Sequence, residues 1–316
     1  MIGVLASLVA LLFVVGSPAR ADVRIDVRES SWSAGQTPVA LETIVRTWVQ
    51  GPRRRLESQL VGAVSDSVLR ATSFAQIDRL DRDSSYFVRP AERAYIPVAY
   101  APGRAQNAAR AEAMRAARAA GTAPRDTLGP VRVVELGRLR RIAGFECRGV
   151  LLELTFAYRD SAMDPGTDLV GILADTVWIA PPESPVGELG RFERDLARVT
   201  GGDSLLEAGN AVQISAQRGL GLVALIQREL RRQPGTVLAS HFSNLLRGLP
   251  RGLTGVERLP DGTAIVQRTI REAVAVDTTP APEDLFEPPA GFRRVERGTR
   301  SGAAPGAGSG KPGTRP

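Results

Sequence analysis

From residue 39 to residue 49 an apolar or β-branched side chain stands at every second position: Val39, Leu41, Thr43, Val45, Thr47 and Val49. Nothing else in the chain restricts its fold so tightly. Alternate side chains of an extended strand point to one side, so this segment reads as a long strand with one buried face. Gly51-Pro52 turns the chain and residues 53–61 return along it. Short strands follow at 75–80, 85–89 and 94–98, joined by the polar turns "DRDS" and "PAE". Residues 131–137 and 145–157 pair around Ala143-Gly144, 171–179 comes next, and 263–276 carries Val266, Ile270, Val274 and Val276 on one face. Turns this short join antiparallel strands, because a parallel crossover needs a dozen or more residues. The expected fold is therefore mostly β with α, an α+β chain. It is a curved antiparallel sheet or open half-barrel whose concave face is covered by helices.

Two segments break the rhythm. Residues 104–120, "RAQNAARAEAMRAARAA", favour helix by propensity, but their stripe is alanine, which predicts an exposed, loosely anchored insertion. In residues 186–232, Leu189, Phe192, Leu196 and Val199 recur at helical spacing, and a denser apolar run follows. Amphipathic helices of this kind need a surface to cover, and one face of the sheet is available. The helical lid region is expected to extend over about 186–247. Leu205, Leu206, Val212, Ile214, Leu222, Val223, Leu225 and Ile226 are the candidate residues lining a ligand space beneath it.

The ends set the compartment. Residues 2–15 are apolar apart from Ser7, Gly16-Ser17-Pro18 breaks the run, and Ala19-Arg20-Ala21 offers a small-x-small cleavage site. The run is shorter than the roughly 18–20 residues a membrane span needs. Residues 1–21 therefore read as a secretory signal, and 22–297 as one domain in a periplasm-like or extracellular compartment. Cys147 is the only cysteine, so no acylation site follows the cleavage point and no internal disulfide forms. Residues 298–316 are rich in Gly, Pro, Ala and Ser, without a large apolar side chain, and predict a disordered tail. Of the net charge of +7, Arg300, Lys311 and Arg315 belong to that tail and Arg20 to the leader. Lys311 is the sole lysine among 41 basic residues, so arginine runs are a habit of the whole chain. Arg53-Arg54-Arg55, or Arg138 with Arg140-Arg141, suit peripheral contact with an anionic membrane, but read first as solvated strand ends. A nucleic-acid partner is not expected without an aromatic-basic platform.

Catalytic motifs are scarce. Gly202 to Leu205, "GDSL", matches the signature of GDSL-type esterases with Ser204 as nucleophile. The only histidine, His241, has Leu238 where that family's Asp-x-x-His pair needs the acid. A serine without an oriented base has no route to activation. Ser204 to Glu207 reads instead as a helix capping box. One His and one Cys exclude a His/Cys metal cluster. The aspartates at 78, 81 and 83, and at 160, 164 and 168, lack the spacing of a calcium loop and read as solvated turns. No metal and no cofactor is expected. His241 reads as a satisfied surface or core residue. Cys147 lies on the opposite strand face from Val150, Leu152, Leu154 and Phe156 and reads as a small, partly buried packing residue.

Several spaced pieces occur in a recognisable order. They are Leu80-Asp81-Arg82, Tyr86 to Pro90 with Tyr95, Ile142 to Cys147 around Gly144, and Trp178. Gly248-Leu249-Pro250 and Leu285 to Pro289 with Gly291-Phe292 complete the set. In that order the chain resembles a family of exported bacterial proteins, the domain-of-unknown-function 4412 family, which is similar to the LolA/LolB lipoprotein-carrier superfamily. The resemblance implies an open half-barrel that holds acyl chains, no catalytic residues, and a lipid or lipoprotein partner. The leading expectation is a non-catalytic envelope protein binding an apolar ligand. The alternatives are a scaffold whose concavity is filled and a GDSL-like esterase using Ser204.

Overall fold

The computed structural model describes residues 22–34, 41–61, 73–125, 127–158, 169–216, 221–250 and 256–296. The leader, the basic tail and the aspartates at 160, 164 and 168 lie outside them.

The strands are β1 (Val23–Ser33), β2 (Leu41–Gln50), β3 (Arg53–Val61), β4 (Phe74–Arg79), β5 (Ser84–Arg89) and β6 (Ala94–Ala99). They continue with β7 (Arg132–Ile142), β8 (Phe145–Tyr158), β9 (Leu169–Ala180), β10 (Thr236–Arg247), β11 (Ala264–Asp277) and the short β12 (Arg293–Arg294). All belong to one open, 12-stranded sheet in the order β12-β6-β5-β4-β3-β2-β1-β11-β10-β9-β8-β7. Every neighbouring pair is antiparallel except β12 with β6. The first six strands run outward in one direction and β11 back to β7 in the other, so the pairing of β1 with β11 holds the halves together. The β7–β8 turn is Ala143-Gly144 with φ of 46° and 92°. Positive φ at both central residues matches the twist of the flanking strands.

Besides the two-residue β12, two strands escape the sequence reading. β1 alternates Val23, Ile25, Val27 and then turns polar, so half its length carries no apolar signal. β10 lies inside the expected helical region, which therefore ends earlier. Its alternation is broken where its register against β9 shifts between Val237 and Ala239.

The helices are α1 (Tyr100–Ala119), α2 (Gly187–Thr200), α3 (Gly202–Ala208), α4 (Ala211–Ser215) and α5 (Val223–Arg231). α1 is not loosely anchored. Its alanines let α3 approach closely, so that Ala111 and Met114 are buried with Leu205 and Ala208. Arg104 also bonds Asp83 at 2.7 Å and the Val199 carbonyl at 2.8 Å, and Asn107 bonds the Thr200 carbonyl at 3.0 Å. The cap reading of Ser204 is also corrected. Ser204 is exposed inside α3, which starts from Gly201 with no side-chain cap, whereas Asn210 and Gln213 form a reciprocal capping box on α4. Asn210→Ala should therefore cost about 0.5–2 kcal/mol and Ser204→Ala nearly nothing, which urea denaturation of the two variants will separate.

The sheet has two faces with different covers. On the inner face, Val150, Leu152, Leu154, Val177 and Ile179 pack against Ile214, Leu225 and Ile226 of α4 and α5. Val23, Ile25 and Val49 pack with Phe192 of α2. On the outer face, Ala75, Ile77 and Val88 are covered by Phe286, with Leu285 and Phe292 beside it. The β7–β8 hairpin folds over the other end of that face. Arg140 on β7 reaches Glu272 on β11 at 2.7 Å, although three strands separate them in the sheet. Trp178 lies under this fold-over, with Arg138 and Arg140 at 5.2 and 5.7 Å from its ring. Cys147 is fully buried beside it rather than partly.

Candidate functional site

α2 and α5 span the inner face of β1, β2, β3 and β10 without filling it. Short side chains such as Val27, Val45 and Thr47 stand among the sheet residues beneath them. What remains is a cavity of about 360 Å³. Ile25, Val27, Val45 and Leu56 form its apolar floor, and Leu189 and Leu230 belong to its helical wall. The volume falls within the roughly 300–1,000 Å³ typical of ligand pockets.

Two polar features border this space. The first is a buried charge cluster. Arg54 on β3 donates to Asp78 on β4 at 2.9 and 2.7 Å, and Asp78 also accepts from the Tyr100 hydroxyl at 2.7 Å and from Gln76 at 2.9 Å. Arg54 further donates to Glu193 and lies 5.1 Å from the Phe192 ring, so the cluster clamps α2 and the start of α1 onto the sheet. Asp78 is thus no solvated turn residue and Arg54 no solvated strand end. Burial and the Asp78 carboxylate hold the Tyr100 phenol well above its ordinary range, so it remains a donor.

The second is Asp175 on β9, 4% exposed, whose Oδ1 accepts from Ser240 at 2.7 Å. Burial pushes its carboxyl above the ordinary aspartate range, with Ser240, Arg271 and His241 opposing. The unfolded chain releases this proton at lower pH than the folded protein. The site therefore loses stability as pH rises from the usual aspartate value, about 3.9, through the raised folded value. Asp175→Asn should be more stable than the parent at neutral pH, with the gain vanishing below about pH 4. Thermal melts at both pH values check this, and an identical shift at the two would count against it.

The eight residues expected to line the ligand space do not line this cavity. Leu205 packs under α1, and Leu206, Ile214, Leu225 and Ile226 belong to the dense core over β8 and β9, with Leu222 against it. Val212 is half-buried and Val223 is 43% exposed. Periodicity marked the buried stripe of these helices. The open space lies instead beneath Leu189 and Leu230, one on each of α2 and α5. No sequence signal distinguishes a stripe that packs from one that roofs a gap.

The residues of the spaced motifs serve structure. Asp81 pairs with Arg79 at 2.8 Å, Tyr86 meets Tyr95 edge-on at 6.0 Å, and Pro90 starts a short 3-10 turn. Gly144 makes the hairpin turn, while the Pro289 carbonyl accepts from Phe292 N–H at 3.2 Å around Gly291, whose φ is 76°. Burial pushes the Cys147 thiol up to about 11, and Sγ donates to the Phe145 carbonyl at 3.6 Å, which suits a packing residue. Ser204 is exposed on α3, whereas His241 sits on β10 with its Nε2 buried and without a hydrogen-bond partner among the described residues. Ser204 and His241 stand on different elements with no hydrogen bond between them among the described residues, and His241 Nε2 is not satisfied as expected. Arg53 donates to Gln50, and Arg55 holds Glu57 at 2.7 Å and the Leu285 carbonyl at 3.0 Å. No helix among the described residues is long and apolar enough to cross a membrane.

The architecture defines a class: a mostly β protein with one open sheet, helices over its inner face and a pocket between the two layers. No family model matches the chain, so the 4412 resemblance has no matching model behind it, and no curated protein matches either. Among solved structures, the chain is similar to a LolA superfamily protein from Nitrosomonas europaea. The identity is 8%, covering 84% of this chain and 90% of that one, with a TM-score of 0.21. A likeness of that size carries no conclusion about ligand or activity.

Proposed function

We propose that this protein is a non-catalytic carrier of the cell envelope that holds an apolar ligand, such as an acyl chain, in the pocket under α2 and α5. The observation that carries the reading is the pocket itself, about 360 Å³ with an apolar floor, beside a core that is otherwise densely packed. A scaffold with a filled concavity would show the dense packing at both ends of the inner face. Here α4 and α5 fill the β8–β9 end, and the β1–β3 end stays open. The apolar run at residues 2–15, followed by the small-x-small site Ala19-Arg20-Ala21, supports the export part of this reading.

The test is uptake of a fluorescent fatty-acid probe by the purified protein. The parent should bind it, and Leu189→Trp, which fills the pocket from α2, should weaken binding about tenfold or more, the effect of losing about 1.4 kcal/mol. Co-purifying lipid seen by native mass spectrometry would add weight. A parent that never takes up the probe, at any concentration below its micelle limit, returns the protein to the scaffold reading.

A further inference from the structure

We infer that the ligand is an anionic amphiphile, whose tail occupies the apolar pocket and whose single anionic head is held between α2 and α5 by Arg194 and Arg231. This rests on the carrier reading and deepens it. Arg194 and Arg231 line the pocket and also a second, smaller cleft of about 220 Å³ on its helical side. The two spaces therefore share a wall made of guanidinium groups. Arg198, Arg228 and Arg232 complete the basic lining of the cleft, against Asp203 and Glu207.

Several of these arginines have ordinary partners. Arg231 pairs with Asp203 at 2.5 Å, Arg232 with Glu229 at 2.8 Å, and Arg198 with Asp195 at 2.9 Å. Arg228 and Arg231 also stand in the last turn of α5, where a cation favours the helix dipole. Arg194 has neither explanation. It sits in the middle of α2 and forms no ion pair among the described residues. A guanidinium carries five N–H donors in a planar fork, so Arg231 keeps donors free even while it holds Asp203.

The opposite side of the pocket sets the orientation. Asp175 is buried there with Ser240 as its hydrogen-bond partner among the described residues, and Arg271, which also lines the pocket, is already paired with Glu29 at 3.0 Å. An anionic head placed beside it would add a second negative charge in a poorly solvated space, which is costly. The tail belongs at that end and the head at the arginines. A phosphate or a carboxylate meets this requirement equally, and so does a free anion without a tail, which the experiment separates.

Decyl phosphate, decanol and inorganic phosphate are titrated into the full chain by calorimetry, with the parent, Arg194→Gln and the double variant Arg194→Gln/Arg231→Gln. The parent should bind decyl phosphate about tenfold or more tighter than decanol, the scale of one charge-assisted hydrogen bond. The preference should shrink with added salt. Arg194→Gln should lose most of that preference, and a urea denaturation midpoint equal to the parent's shows that its fold is intact. Equal affinity of the parent for the two decyl compounds, or a preference that survives in the double variant, overturns the inference while leaving the carrier reading standing. Inorganic phosphate binding as tightly as decyl phosphate also overturns it, because the anion site would then need no tail. Failure of both decyl compounds to bind sinks the carrier reading and the inference with it.

Discussion

Asp78→Ala should destabilise the protein by about 3–5 kcal/mol, the size typical of breaking a buried ion pair. Asp78 has no exposed surface and gathers donors from Arg54, Gln76 and Tyr100. Its removal leaves the Arg54 guanidinium, 7% exposed, with Glu193 as its remaining anion, and leaves the Tyr100 hydroxyl without its acceptor. The loss is therefore larger than the net worth of the contacts, because uncompensated charge stays buried. Replacing both partners, as in Arg54→Met/Asp78→Leu, should recover much of the stability, since no stranded charge remains. Urea denaturation of the parent, the single and the double variant checks both statements. A single variant within about 1 kcal/mol of the parent would mean that water reaches the cluster and the clamp on α2 is weak.

Gly235→Ala should rank next. Gly235 links α5 to β10 with φ of 111°, a backbone conformation that side chains of L-residues rarely adopt. A methyl group there would stand 2.1 Å from the Ala180 carbonyl oxygen and 2.7 Å from Cγ2 of Ile179, so the connection cannot keep its path. The backbone strain alone costs about 1–3 kcal/mol, and the clash with main chain adds to it. Gly235 also borders the pocket, so probe binding should fall together with stability. A lowered denaturation midpoint with weakened uptake is the expected result. Stability equal to that of the parent would show that the α5–β10 link shifts freely, and would take the fixed shape of the pocket with it.

Much of the fold is legible in the sequence because it rests on local chemistry. The period-two rows form strands over 41–49, 145–157 and 264–276, since alternating side chains can bury only one face, while Val39 lies outside the described residues. Gly144 was readable as a turn residue because glycine enters positive φ without a Cβ penalty, whereas the φ of 46° at Ala143 is imposed by the hairpin. The apolar stripe of residues 186–232 was readable as helix for the same kind of reason. β1 and β10 were not. The outer half of β1 is polar, and the register of β10 slips where it meets β9, so neither keeps a clean alternation.

The candidate site belongs to the other category. Leu225 and Leu230 are both apolar residues of α5, yet Leu225 is buried in the core over β8 and β9, while Leu230 is only half-buried against that core and also lines the pocket. Which of them does which depends on where α5 rests, and that is set by side chains far away in sequence. Arg54 shows the same limit: read locally it is one arginine of a run, and only the pairing of β3 with β4 brings Asp78 against it. The sequence by itself determined which segments extend, which coil and where the chain turns, because those choices follow from neighbours a few residues apart. Only the tertiary structure decided where a charge is buried, which side of a helix faces a gap, and which arginines share a wall, because each depends on contacts between residues distant along the chain.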